Sequence, residues 1–387
     1  MELPGTAGVV AAGGGSVAVA LSAAGSVTLG GGGGGGPARG FAIRGEPGAL
    51  LVALDAKTGA IRWAMAFDAT TLAQIAAIAP APDGGFVVGG SFEGTLRAGE
   101  PAAHAAAAPS PAAAARPATD SVVSTAGRGD GFVARVSASG ALMWLVRVGG
   151  PGADAVQGVA IAGDRVAIAG TFAAGAELAG VPLPPYDDRS PLGDAFAAEL
   201  DAATGARRWS VAFGGKEDDS VAGVAIDATG RVAVAANLRG SIRAGDAVLR
   251  ARGASDGLVA WLSPTGQWGK TAVLGGADFD GLRGIAAAGD RVVVGGFFSG
   301  SLQLGSAALA AGGGDDAFIA QVTAAGAVER AWQIGGGGRE EIAELAAVPG
   351  GFVAGVEHTA ELIVDGAHVG DAIKGGVGAA LIVRAAP

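Results

Sequence analysis

The feature that most constrains this chain is a module that occurs six times. One strand of it reads VALDAKTG (52–59), ARVSASG (134–140), AELDAATG (198–205), AWLSPTG (260–266), AQVTAAG (320–326) and LIVRAAP (381–387). Anchored on Leu54, Val136, Leu200, Leu262, Val322 and Val383, the copies are spaced by 82, 64, 62, 60 and 61 residues. A module returning at so regular a period cannot bury its apolar face alone, so neighbouring copies must stack on one another.

Aligned, the copies share a run of short strands. A first strand reads GVVAA (8–12), GVAIA (158–162), GVAID (223–227), GIAAA (284–288) and ELAAV (344–348). A second follows at SVAVAL (16–21), GFVVGG (85–90), RVAIAG (165–170), RVAVAA (231–236), RVVVGG (291–296) and GFVAGV (351–356). The turns between them, such as DATG (227–230) and PDGG (82–85), carry the Gly and Asp that β-hairpins use. A short linking strand comes next, at GTLRAG (94–99), GSIRAG (240–245) and GSLQLG (300–305). An aspartate-led strand then opens at Asp130, Asp194, Asp256 and Asp316, and a final strand carries Trp63, Trp144, Trp209, Trp268 or Trp332. Near-continuous Val, Ile and Ala predict that the first two strands are buried on both faces. The aspartate-led and tryptophan strands alternate more and are expected further out, with the tryptophans filling the gap between neighbouring modules.

Sheets of about four strands repeated at ~45–60 residues predict a β-propeller. The expected architecture is all-β, a single β-propeller domain over residues 1–387 with six visible four-stranded blades. A β-solenoid fits less well, because its rungs are shorter and lack repeated hairpins. The tryptophan strand occurs five times and the sixth module ends at LIVRAAP without one. Either Met1–Pro4 completes the last blade, or an N-terminal strand or blade is lacking; the second is favoured, because an unpaired edge is an aggregation liability. Residues 100–126 form an Ala/Pro-rich flexible loop inserted in the domain, 181–193 a shorter Pro-rich insertion, and Gly30–Gly36 a soft glycine run. That run precedes neither GK[ST] nor a helix, so it does not read as a phosphate cradle.

Composition narrows the function classes. The net charge is −10, with 22 Arg, only four Lys and no basic cluster, which makes nucleic acid a poor partner. The absence of Cys excludes disulfides, Cys-ligated metals and thiol chemistry. No apolar run approaches the ~18–20 residues of a membrane span. MELPGTAGVV lacks the basic and apolar regions of a signal peptide.

The most regular polar feature is an acid five residues after the first Gly of the blade-linking turn: Asp154, Asp219, Asp280 and Glu340. Glu217, Asp218, Asp278 and Glu341 lie around it. In a propeller these turns share one face, so the acids would form a negative ring that attracts a cation, with Ca²⁺ the candidate, or a basic partner. The plainer expectation is that each carboxylate caps turn amides, since recurrence in every module is what a fold demands. The acids opening the aspartate-led strands read as structural for the same reason. Asp278-Phe279-Asp280-Gly281 is only a fragment of a calcium loop. His104, His358 and His368 lack metal-ligand spacing; His104 lies in the flexible insertion, and His358 and His368, flanking a hairpin, read as surface residues. No G-x-S-x-G occurs, so no catalytic residue is nominated.

The module GVAIDATGRVAVAA (223–236) … DGLVAWLSPTG (256–266), with GDAFAAELDAATGARRWSVAFGGKEDD (193–219), resembles the seven-bladed β-propeller (SBBP-type) repeats of bacterial surface and secreted proteins. ALDAKTGAIRW (53–63) and ELDAATGARRW (199–209) are also similar to the repeat of quinoprotein (PQQ-like) propellers. The chain departs from quinoproteins in its longer period, its blade count and its lack of a vicinal Cys pair. The resemblance implies a fold and an extracytoplasmic setting, secreted or at the cell surface; it carries no catalytic residue over. The expected function is a non-catalytic binding or scaffolding module with a protein or carbohydrate ligand and no obligatory cofactor. The alternative is an enzyme on a propeller scaffold, either a quinoprotein-like oxidoreductase or a polysaccharide-active protein.

Overall fold

The computed structural model describes residues 6–30, 38–99, 102–103, 121–184, 193–217, 219–348, 351–370 and 378–385. All regular structure among them is β-strand, and no helix is long and apolar enough to cross a membrane. Most of the 100–126 and 181–193 insertions, the glycine run after Gly30, His104, Asp218 and the closing segment Met1–Pro4 lie outside the described residues. The chain divides into two compact units, Met1–Pro185 with Ala198–Arg208, and Tyr186–Ala197 with Trp209–Pro387.

The first unit contains two large antiparallel sheets. One runs in the order Thr6–Gly13, Ser16–Leu29, Arg39–Asp55, Ile61–Ala69, Thr95–Gly99, Ser121–Ser124. The other runs Leu72–Pro80, Phe86–Glu93, Asp130–Val136, Leu142–Gly149, Glu177–Leu178, Val181–Pro182. The hairpin Ala155–Ala162 and Arg165–Phe172 belongs to the same unit. In the second unit, Ser220–Ile226, Val232–Leu238, Asp256–Leu262 and Trp268–Leu274 form a four-stranded meander. Gly281–Ala288, Arg291–Phe298, Asp316–Thr323 and Val328–Gly335 form another, extended by Leu362–Val364 and Ala367–Gly370. Glu340–Val348, Gly351–His358 and Gly378–Ala385 make a three-stranded sheet. These meanders are the blade-type sheets of which propellers are built.

In four modules the short linking strand does not stay in its own module, while Ser301–Leu304 pairs with Ala307–Ala310 in a two-stranded sheet. Thr95–Gly99 pairs with Ile61–Ala69, Glu177–Leu178 with Leu142–Gly149, Ser241–Ala244 with Phe213–Gly215, and Leu362–Val364 with Val328–Gly335. In each case the partner is the outer strand of the preceding module. The aspartate-led strand therefore pairs directly with the second strand, as Val136 with Phe86 and Leu262 with Val232.

The second strands, such as Val232–Leu238 and Arg291–Phe298, are buried as the sequence predicts, but the burial of the aspartate-led and first strands is the reverse of that expected. Asp130–Val136 and Asp256–Leu262 are buried at every residue, because they sit mid-sheet with neighbours on both faces. The first strands, such as Ala155–Ala162 and Gly281–Ala288, are edge strands and only partly buried. Each first strand also carries a bulge at one equivalent place, between Ala7 and Val9, Ile75 and Ala77, Val156 and Gly158, Val221 and Gly223, Leu282 and Gly284, and Ile342 and Glu344. A bulge raises local twist, which suits a strand at a crowded sheet edge.

Small residues set the spacing between stacked sheets. A Cβ at Gly89 would lie 2.6 Å from Cγ1 of Val156, so only glycine lets the next first strand approach so closely. Three tryptophans lock a module to the turn of the next one. The indole N–H groups of Trp63, Trp144 and Trp209 donate to the carbonyls of Ala138, Ala202 and Pro264, at 3.0, 3.0 and 3.2 Å. Gly140 faces Trp63 with φ of 80°, where a side chain would be strained and would strike the ring. Trp268 and Trp332 stand elsewhere. Trp268 lies opposite Leu262, whereas Trp63 and Trp144 lie opposite the residue before the equivalent position, and it meets Phe213 edge-on at 5.7 Å; Trp332 lies opposite Ile319 and packs on Phe352 at 5.3 Å. Trp63, Trp144, Trp268 and Trp332, aligned by sequence, thus occupy three registers.

Candidate functional site

The two recurring sets of acids come together because two loops run side by side. In the first unit Arg128 N donates to Gly152 O and Asp154 N to Gly129 O, at 3.2 and 2.9 Å. In the second, Ala254 N and Asp280 N bond to Asp278 O and Ser255 O, and Gly314 N and Glu340 N to Gly338 O and Asp315 O. This short parallel ladder sets Asp154 near Asp130, Asp280 near Asp256, and Glu340 near Asp316. Gly214 lies against both Asp194 and Asp219, so the same pairing recurs there.

All eight of these acids are buried. Five of them, Asp130, Asp154, Asp256, Asp280 and Asp316, hold backbone amides. Asp154 accepts from Gly150 N and Ala173 N at 2.9 and 2.8 Å, and Asp280 from Gly276 N and Ser299 N at 2.6 and 3.2 Å. Asp130, Asp256 and Asp316 each accept from the amide four residues earlier. Burial, followed by the charge of the paired acid, raises the pKa of Asp154, Asp280 and Glu340, the last to about 7. The satellites differ. Glu217 and Asp278 are exposed, and Glu341 pairs with Arg283 and Arg339 at 3.1 and 2.5 Å. Among the described residues, no three His, Asp or Glu side chains are grouped to hold a metal ion.

The Asp316–Glu340 pair is set apart by Glu340, whereas the guanidinium beside Asp130 has no counterpart beside Asp256, where Val273 holds the equivalent place. In the first unit the Arg147 guanidinium donates to Asp130 at 2.6 Å. The equivalent residue beside Asp316 is Gln333: each sits one position before the residue opposite the aspartate's successor. Each also accepts from a residue with positive φ, Ala179 N onto Arg147 O and Asp365 N onto Gln333 O. Gln333 donates to Asp316 at 2.7 Å and to Ala310 O at 2.6 Å. Beside it opens a pocket of about 400 Å³, lined by Gly312, Asp316, Gln333, Gly336, Ile363 and Asp365 among others. Glu340, fully buried behind it, has no partner on either carboxylate oxygen. Sequence reasoning grouped Glu340 with the other recurring acids and passed over Gln333; a polar residue at the aligned position that holds Val273 in the preceding module was the signal available.

The quinoprotein-like DAKTG and DAATG segments are turns. Oδ1 of Asp55 accepts from the amides of Lys57 and Thr58, and that of Asp201 from Ala203 and Thr204. Arg62 and Arg208 close the two turns at 2.6 and 2.8 Å, and with the turn hydrogen bonds hold both carboxyls below their ordinary range. His358 is buried rather than on the surface, its Nδ1 2.7 Å from Ala360 O, whereas His368 is exposed, 4.0 Å from Glu361.

No family model matches the chain. No curated protein matches it either. Among solved structures it is similar to BamB from Moraxella catarrhalis, at 13% identity over 82% of this chain and 90% of that one, with a TM-score of 0.28. It is also similar to the β-propeller domain of the Trilobed protease from Pyrococcus furiosus, at 10% identity over 95% and 96% of the two chains, TM-score 0.34. A europium-containing methanol dehydrogenase is similar at 10% identity over 92% of this chain and 69% of that one, TM-score 0.35.

Proposed function

We propose that this chain is a non-catalytic binding or scaffolding module that works outside the cytoplasm on a protein or carbohydrate ligand. The observation that supports this reading is the duty of the recurring acids. Asp130, Asp154, Asp256, Asp280 and Asp316 all hold loop amides at buried positions, which is work a fold requires many times and a reaction centre requires once. The motifs similar to quinoprotein repeats serve turns as well.

The rival reading is an enzyme, and turnover decides between them. The purified chain is incubated with pyrroloquinoline quinone, Ca²⁺, a panel of alcohols and an artificial electron acceptor, and separately with polysaccharides. The expected outcome is dye reduction and release of reducing ends no faster than with heat-denatured protein. Turnover above that control, abolished by substituting a single buried acid, would overturn the binding-module reading.

A further inference from the structure

The paired acids share a problem: two carboxylates brought together out of water repel each other and need positive charge or hydrogen bonds. The first unit solves it internally, with Arg147 reaching Asp130 at 2.6 Å and Asp154 taking two amides. The Asp256–Asp280 pair has Val273 at the place of Arg147 but keeps the two amides on Asp280, whereas the Asp316–Glu340 pair has neither part. Gln333 holds the place that Arg147 has in the first unit, so a neutral amide stands there in place of a guanidinium. Glu340 replaces an aspartate, and with one more methylene neither of its oxygens finds an amide. Asp365 occupies the place of Ala179, which adds an acid to the pocket lining.

We propose that the pocket beside Gln333 binds a guanidinium group supplied by a ligand, in the role that Arg147 plays within the first unit. Its volume of about 400 Å³ matches the roughly 300–1,000 Å³ of small-ligand sites. The buried, unpartnered Glu340 carboxylate lies behind Gly336, a lining residue at which an added Cβ would come within 3.6 Å of Oε1. Asp316 and Asp365 supply further negative charge, while Leu309 and Ile363 offer apolar wall for the stem of an arginine side chain. A guanidinium suits the site better than a compact cation, because its planar donors can meet several carboxylate oxygens at once. The proposal deepens the binding-module reading and rests on it.

The test is calorimetric titration of the full chain with arginine amide and with a short peptide holding one central arginine, each beside its lysine counterpart. Saturable binding that prefers arginine to lysine is expected. Tighter binding of the peptide would assign the guanidinium to a protein partner, and tighter binding of the amide to a free small molecule. Gln333→Arg restores the built-in cation and should weaken binding by at least about tenfold while raising the melting temperature. Glu340→Gln, which removes the unpartnered charge and should fold at least as well, decides the matter if the first variant is poorly folded; it too should bind more weakly. Absence of saturable binding, or an affinity unchanged from the parent chain in both variants, overturns the pocket assignment and leaves the binding-module reading standing. Chemical conversion of the probe would instead overturn the binding-module reading.

Discussion

Glu340 is the residue whose chemistry departs furthest from its kind. Burial and the nearby Asp316 charge raise its pKa from 4.5 to about 7, and it lies directly across the sheet from His358. A carboxyl that holds its proton more tightly when folded makes the folded state bind more protons between those two values. Its contribution to stability is therefore greatest below pH 4.5, falls as the pH rises to about 7, and is flat above. Melting curves across that range should decline less steeply in Glu340→Gln than in the parent chain, and the variant should melt higher above pH 7. An unchanged slope would mean that Glu340 is ionised throughout. Asp280 behaves differently, because it holds two amides. Asp280→Ala should cost roughly 1–3 kcal/mol in denaturant unfolding, the price of leaving buried donors without acceptors. Both acids were visible in the sequence as members of one recurring set. Their difference was not, since spacing records that an acid recurs but not whether a turn amide comes within reach of its oxygens.

At the scale of elements, the tryptophan strands show how far an alignment can be trusted. Trp144 is buried, with its indole N–H satisfied by the next module's turn, while Trp268 is only partly buried and packs edge-on against Phe213. Trp144→Ala should cost ~3–5 kcal/mol by urea unfolding, as for other large-to-small core changes, and Trp268→Ala distinctly less. Equal losses would mean that the two rings do the same work. The linking strands make a second case. Each is short enough that its alternation fits either its own sheet or a neighbour's, so the pattern Ser241–Ala244 predicts a strand without naming a partner. Pairing with the preceding module places the aspartate-led strand mid-sheet and buries it completely, contrary to the reading from alternation alone.

At the scale of the whole molecule, charge and repetition are the quantities that matter. With a net charge of −10 and no basic cluster, the chain should show no saturable binding to duplex DNA tighter than about 10⁻⁴ M in a fluorescence titration at physiological salt. Submicromolar binding that fades with salt would contradict this. The sequence by itself determined the all-β class, the repeated meander and the recurring acids, because each is written as a period, and a period survives without knowledge of neighbours. Tertiary structure alone decided which sheet receives each linking strand, which tryptophans meet a turn, and which carboxylates lie without a partner. Those outcomes depend on distances of a few ångströms between residues far apart in the chain, such as Asp316 and Glu340, and no local pattern encodes them.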